Sequence, residues 1–487
     1  MILKQSIGLA VVVFWCVMNL LLIKRQLWAP PPPLFVSGTE ALTEASQEWW
    51  GVYYHGEKIG FTSQSIEPNQ HGYQLRDESL LRLNLLGTTQ HASTRLAMHV
   101  DKEWVLVDFN FELLSNDVRF QSRGKVVPGQ LHLEIESAGH TSKQNIALTQ
   151  PPYLAAALKP LVATQQLEPG REHFFTIFDP STLAHQITSV TIEAREQILV
   201  GNETVPAIRL RQRFKGLSVV SWIDGNGLTL KEESPGGFAL KLEAPPHAKS
   251  FADSRAVPLD LIARASIALG ESISQPQSRN TLRLRLSGLN AANFALDSER
   301  QNFSEDVLRI EREKVSPSDT YKIPLKNRRF SSFLQPTAFL QSDHPLIRDH
   351  ARQILGAETD AYRAILRLKD SVYNEIKKQP TISIPNALEV LRTKKGDCNE
   401  HTVLFNALAR AAGIPARTVV GMVYLRGAFY YHAWSEVWLG KWVSLDSVLN
   451  QFPADVTHVK FVEGEIDRQL DMLQLIGNLR IEVLEQE

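Results

Sequence analysis

Cysteine is almost absent from these 487 residues, with Cys16 and Cys398 the only two. That excludes a disulfide-rich scaffold and any zinc or iron–sulfur site built on four thiolates. A surplus of either charge is missing too, with 52 Lys and Arg against 53 Asp and Glu. Nucleic-acid binding through bulk positive charge is therefore excluded. The chain has no internal repeat and no low-complexity tract apart from one run of prolines. Hydrophobic residues at 43% and charged residues at 22% fit folded protein rather than disorder. At roughly 150 residues per domain, the length predicts about three domains.

Long apolar runs are scarce as well. The exception is Ile7 to Ile23, broken only by Asn19. As a helix it would be about 26 Å long, the short end of what crosses a bilayer. Lys4 precedes it, Lys24 and Arg25 follow, and Trp28 is placed for the interface. A cleaved signal peptide would carry small residues where Lys24-Arg25 stand. Residues 1–28 are therefore read as an uncleaved anchor helix and its flanks. The flanking charges nearly balance and give little orientation bias. A large β-rich body behind such an anchor is expected on the far side of the inner membrane, in the periplasm or otherwise outside the cytoplasm. Residues 29–47 contain Pro30-Pro31-Pro32-Pro33 and read as a stiff linker.

Residues 48–245 alternate in short runs punctuated by turn residues, which predicts an antiparallel β domain, a meander folded as a sandwich or curved half-barrel. Two hairpins stand out. One runs from Trp50-Gly51-Val52-Tyr53-Tyr54 through His55-Gly56 to Ile59–Ile66; the other turns at Asp224-Gly225-Asn226-Gly227. Trp222-Ile223-Asp224 and the glycine after it resemble substrate-binding or spacer domains of exported bacterial proteins, and no site is carried over from that resemblance. After Pro245-Pro246 a small β unit is expected over 255–328. Helical spacing appears only beyond Asp343, in Leu346–Leu366 and Ala387–Leu391. The fold class expected is α+β, with a third domain over 343–487.

Chemistry concentrates at Gly396-Asp397-Cys398-Asn399-Glu400-His401. The apolar face from Val403 to Ala412 predicts a helix ended by Gly413-Ile414-Pro415, with Cys398 in its first turn. Unpaired N–H groups and the helix dipole would favour a thiolate there and could hold an oxyanion. A buried, inert cysteine is the competing reading. Downstream, Phe429–Leu439 reads as a strand with His432, Trp434 and Glu436 on one face. A three-residue loop, Leu439-Gly440-Lys441, would pair Trp438 with Trp442 and make His432 and Asp446 diagonal neighbours. A two-residue loop would put them on opposite faces. The result would be a nucleophile, a base and an orienting carboxylate.

These segments, together with Ala411-Ala412-Gly413-Ile414-Pro415-Ala416-Arg417, Tyr431-His432-Ala433-Trp434-Ser435-Glu436-Val437-Trp438 and Leu445-Asp446, resemble the transglutaminase-like superfamily over roughly 343–465. In its bacterial, membrane-anchored members that resemblance implies a papain-like core without metal or cofactor. It also implies Cys398 as nucleophile, His432 as general base and acid, and Asp446 as orienting carboxylate. Pro453-Ala454-Asp455-Val456-Thr457-His458 looks like the stretch that follows the aspartate in such proteins, whereas Ser447 stands where many have proline.

Other side chains carry competing readings. His401 is a second candidate base on the cysteine helix, and Glu400 a helix cap. Asp455 and His458 are read as structural loop residues, and Trp434, Trp438 and Trp442 as core or cleft wall. A metal held by Cys398, His401 and His432 is the least favoured arrangement.

The expected function is a membrane-anchored thiol enzyme, a cysteine peptidase, amidase or acyltransferase. It would hydrolyse or transfer acyl groups of a protein or peptide substrate through a thioester. The alternative is a non-catalytic adaptor that uses the same fold as a protein-binding module.

Overall fold

The computed structural model describes residues 44–486, save 86, 117, 166, 251–259 and 319. The expected anchor, Cys16 and most of the proline linker lie outside the described residues. Among those described, no helix is long and apolar enough to cross a membrane. The architecture is α+β.

Fourteen antiparallel strands between Ser46 and Leu242 make one continuous sheet. From Ser46–Tyr54 the chain meanders outward to an edge at His140–Ala147. It then crosses to Glu172–Asp179 at the other edge and meanders inward until Phe238–Leu242 pairs with the first strand. The first hairpin turns tightly at His55-Gly56, both with positive φ, which suits the twist of the flanking strands. In the second, the Asp224 carboxylate accepts the N–H groups of Asn226 (2.8 Å) and Leu228 (2.9 Å) and shapes the turn.

The crossing between the two edges is a helix, Ala155–Thr164, whose Ala157, Leu158, Leu161 and Val162 are buried among side chains from both halves of the sheet. This corrects the expectation that helices begin only after Asp343. Residues Ala155-Ala156-Ala157-Leu158 and Pro160-Leu161-Val162-Ala163 are apolar all round. Lys159, paired with Glu232 at 2.5 Å, is the one charged residue of this helix, and a single charge on a helix covered by a curved sheet leaves no periodic signal.

The helical part opens with Pro345–Leu355 and Ala361–Glu375, separated at Gly356 (φ 57°), where an L side chain would be strained. Asp360 caps the second of these through the Arg363 N–H at 2.9 Å. Together with Ala387–Thr393 they pack around the helix Cys398–Ala411, which is buried along nearly its whole length. That helix lies against a sheet ordered Ile267–Ala268, Ala428–Trp438, Ala416–Leu425, His458–Glu463, with Trp442–Leu445 added beside Ala428–Trp438.

The small β unit is not closed within 255–328. Its strands Thr281–Ser287, Gln301–Ser304 and Val307–Glu311 are joined by Arg480–Gln486 from the chain's end. Leu282, Leu284, Leu286, Leu308 and Ile310 form an apolar face that three short strands cannot bury alone. They bury it against Val420, Met422 and Phe461 of the neighbouring sheet. The boundaries expected at 328 and 343 thus separate segments that share one core.

Gly421 lies on the strand between the one carrying His432 and the one beginning at His458. A Cβ there would stand 1.9 Å from the Val459 carbonyl oxygen. Gly421→Ala is expected to destabilise the protein by on the order of 3 kcal/mol, read as a lowered denaturation midpoint.

Candidate active site

Cys398 is the first residue of its helix, and Asp397 is the N-cap. The Asp397 carboxylate accepts the Asn399 N–H (3.0 Å), while Glu400 Oε2 accepts the Asp397 N–H (2.9 Å). This reciprocal box confirms Glu400 as a cap and fixes where the cysteine leaves the preceding turn. Gly396 is also required there, since a Cβ would meet Glu400 Cβ at 2.1 Å. Cys398 is half-buried and, like Tyr431, packs against the core that the two sheets share.

The helix start does not by itself favour a thiolate, contrary to the sequence expectation. Burial pushes the Cys398 pKa well up, and the neighbouring Asp397 carboxylate pushes the same way. A hydrogen bond from the Ala433 backbone opposes both. Ala433 is the residue after His432, on the strand against which the helix packs. The Ala433 carbonyl accepts the Thr402 hydroxyl at 3.1 Å, tying strand and helix together one turn further on.

Trp438 pairs with Trp442 and Ser435 with Leu445, the register a three-residue loop requires. His432 and Asp446 meet accordingly, with Nε2 2.7 Å from Oδ2. Because an ionised carboxylate only accepts, the proton is on Nε2, and Nδ1 is left as the proton-accepting atom. Asp446 Oδ1 accepts two backbone N–H groups, from Val448 (2.7 Å) and Leu449 (2.9 Å). Burial alone would raise the Asp446 pKa. The charges and hydrogen bonds of His432 and His458 outweigh it and hold the carboxyl far below its ordinary range.

His458, expected as a structural loop residue, belongs to this cluster instead. Its Nε2 lies 2.9 Å from the same Asp446 oxygen that His432 uses, and its Nδ1 lies 3.2 Å from Asp455 Oδ1. Asp455 is fixed in turn by the Thr457 N–H (2.9 Å), the Thr457 hydroxyl (2.6 Å) and Gln451 Nε2 (2.9 Å). His458 is fully buried, which disfavours its charge, yet the two carboxylates prevail and raise its pKa to about 9. His432, Asp446 and His458 offer ligand atoms within 4.8 Å of one another. Both His458 nitrogens, however, face carboxylate oxygens, as in a doubly hydrogen-bonded imidazolium rather than a metal ligand. The spacing Asp455-x-Thr457-His458 was the available signal, an Asx-type turn that points the histidine back.

The remaining candidates separate from this cluster. His401 bonds through Nδ1 to the Asp397 carbonyl (2.7 Å) within its own helix turn. Trp434 is buried, with its ring centroid 6.2 Å from that of His432 and 5.2 Å from that of His458, so it walls the cluster. Trp438 and Trp442 pack instead on each other and on Phe330. Support also arrives from outside the helical part. Arg300 reaches the carbonyls of Asp455 (2.7 Å) and Ala454 (3.3 Å), and its partner Glu313 accepts the Ser444 N–H at 2.9 Å.

A half-buried cysteine at a helix start, set beside a strand whose histidine is fixed by a buried aspartate, defines a thiol–imidazole–carboxylate site. Residues 348–447 match the family model described as Transglutaminase-like superfamily, and this part of the chain is a transglutaminase-like domain. No curated protein matches the chain. Among solved structures, a candidate cysteine protease from Cytophaga hutchinsonii is 18% identical, covering 43% of this chain and 87% of its own, with a TM-score of 0.29. The β-barrel-like DUF1849 protein of Brucella abortus is 10% identical over 40% of this chain and 94% of its own, at 0.34. The periplasmic domain of TgpA from Pseudomonas aeruginosa, bound to ethylmercury, is 20% identical over 36% and 70%, at 0.23. Scores this low bear on neither the fold nor the function of this chain.

His458 gives the cluster a pH signature. A group whose folded pKa exceeds its unfolded value stabilises fully below the unfolded value, here 6.5, and loses that contribution as pH rises through about 9. The denaturation midpoint is therefore expected to fall between pH 6.5 and 9, by a free energy on the order of 3 kcal/mol. His458→Gln should flatten that decline.

Proposed function

We propose that the protein is a membrane-anchored thiol enzyme that cleaves or transfers amide-linked acyl groups of peptides or proteins. The observation that carries this reading is the Asp446–His432 hydrogen bond, which leaves His432 Nδ1 open on the strand that Thr402, one turn after Cys398, ties to the cysteine helix. Because burial disfavours an isolated thiolate, the thiol proton must leave as the nucleophile attacks, and His432 Nδ1 is the acceptor. Sulfur adds to the amide carbonyl, and the Cys398 N–H, unused by the helix, faces the developing oxyanion. His432 returns its proton to the leaving amine, the C–N bond breaks, and a thioester remains. Water then releases an acid, or an amine forms a new amide, and the thiol is restored in either case. Asp446 stays ionised throughout and orients the imidazole.

The chemistry of the anchor and the β-rich body favours a substrate close to the membrane surface and outside the cytoplasm. A reporter fused after residue 487 should be active on the outer side; activity confined to the cytoplasm overturns that placement.

Alkylation of Cys398 tests the catalytic reading directly. In the full chain carrying Cys16→Ser, Cys398 is the only thiol. Its ionisation midpoint is expected above the ~8.5 of a free thiol, as burial dictates, and His432→Ala should move it higher still. Cys398→Ala should abolish turnover, and His432→Ala should lower it at least about a thousandfold. Equal midpoints with and without His432 would favour the adaptor.

A further inference from the structure

Asp446 Oδ2 is hydrogen-bonded to two imidazoles at once, His432 at 2.7 Å and His458 at 2.9 Å. Three side chains are enough to orient a catalytic imidazole, so the fourth and fifth, His458 and Asp455, need a separate account. All of the groups concerned are buried, with Asp446 and His458 at 0% and Asp455 at 4% exposure. A network so far from water is either fully satisfied or strongly destabilising. Here it is satisfied at every polar atom of His458.

Charge explains the arrangement. With both nitrogens on carboxylates, His458 is an imidazolium, and its elevated pKa agrees. Asp446, His458 and Asp455 then sum to one negative charge instead of two. His432 therefore feels a carboxylate whose field is partly cancelled by a cation 5.8 Å away, ring to ring. The next charged groups along the same strands, Lys460 and Glu436, pair with each other at 3.1 Å. From the helix side, Cys398 and His401 both lie within the field of Asp446. His458 and Asp455 are thus the groups that set how strongly Asp446 acts on the catalytic pair.

We propose that His458, held by Asp455, is a positioning residue that remains protonated through turnover, fixes the Asp446 carboxylate through the same oxygen that His432 uses, and tunes the proton affinity of the Cys398–His432 pair. This rests on the reading of Cys398 and His432 as nucleophile and base. An unshared Asp446 would bind the His432 proton too tightly for easy delivery to the leaving amine, and would also oppose ionisation of the thiol. The shared carboxylate keeps the imidazole oriented and its proton transferable.

The test uses the full chain in detergent, carrying Cys16→Ser, with His458→Gln and Asp455→Asn made separately. Cys398 alkylation and turnover of a peptide amide are followed from pH 5 to 10, with the thermal midpoint measured in parallel. Removing a full charge at this distance, at an effective dielectric constant near 20, moves a neighbouring pKa by about one to two pH units. In His458→Gln both the alkylation midpoint and the alkaline limb of turnover should rise by at least about one unit, beyond any change in stability. In Asp455→Asn, which removes a negative charge while His458 keeps its proton, the midpoint should instead fall, and the fall should vanish in the upper part of the pH range, where His458 gives its proton up. Limbs that stay put in both variants, whatever happens to the maximal rate, would reduce His458 to a structural role. If His458→Gln does not fold, Asp455→Asn decides alone. His432→Ala in the same background serves as the control: an alkylation profile unchanged by it overturns the base assignment, independently of anything measured on His458.

Discussion

One buried carboxylate oxygen governs this site. Asp446 Oδ2 receives two imidazole N–H groups, while Oδ1 receives two backbone N–H groups from the loop that follows. Four donors on one carboxylate make ionisation favourable where burial would forbid it, and that negative charge then dictates the tautomer of His432. Everything nearby is arranged to keep those four donors in place. The strand register delivers His432, the Asp446–Gln451 bridge closes the loop, and the Asp455 turn returns His458.

The supporting structure extends beyond the helices and sheet that carry the cluster. Arg300 and Glu313, a buried ion pair in the small β unit, hold the backbone on either side of Asp446 by gripping Ser444 and the Ala454–Asp455 carbonyls. A cation committed to backbone carbonyls has to be paired when it is this deeply buried, and Glu313 provides the charge. The site's rigidity therefore depends on residues that precede Cys398 by almost one hundred positions. Arg417, Glu436, Lys460 and Glu463 form a second ionic cluster that stiffens the same sheet.

Much of this was legible in the sequence because it is local. Helix start, cap and glycine stop are encoded within twenty residues around Cys398, and a loop of defined length between Trp438 and Trp442 suffices to put His432 and Asp446 on one face. The strand alternation of residues 48–245 was equally readable, because each strand has a wet and a dry side. What escaped notice lacks such local contrast. The helix at 155–164 carries one charge, Lys159, among mostly apolar residues, so no periodic pattern separates it from a loop or strand. His458 is part of the cluster only because two strands separated by a third bring it beside His432, a tertiary relation with no periodic trace. The electrostatic cost of Asp397 beside the thiol was likewise invisible, since a helix start alone argues for the opposite effect.

The last strand, Arg480–Gln486, pairs along Thr281–Ser287 and completes the sheet that carries Arg300's neighbourhood. About two hundred residues of chain separate these partners, so the apolar face of Leu282, Leu284 and Leu286 stays uncovered at its edge until Arg480–Gln486 has been made. Assembly is therefore ordered in time: the β-rich body can form from its own consecutive hairpins as it emerges, whereas the buttress behind the thiol site closes only once Arg480–Gln486 has followed. Removing residues 480–486 would leave a chain with every site residue present and an open, aggregation-prone strand edge.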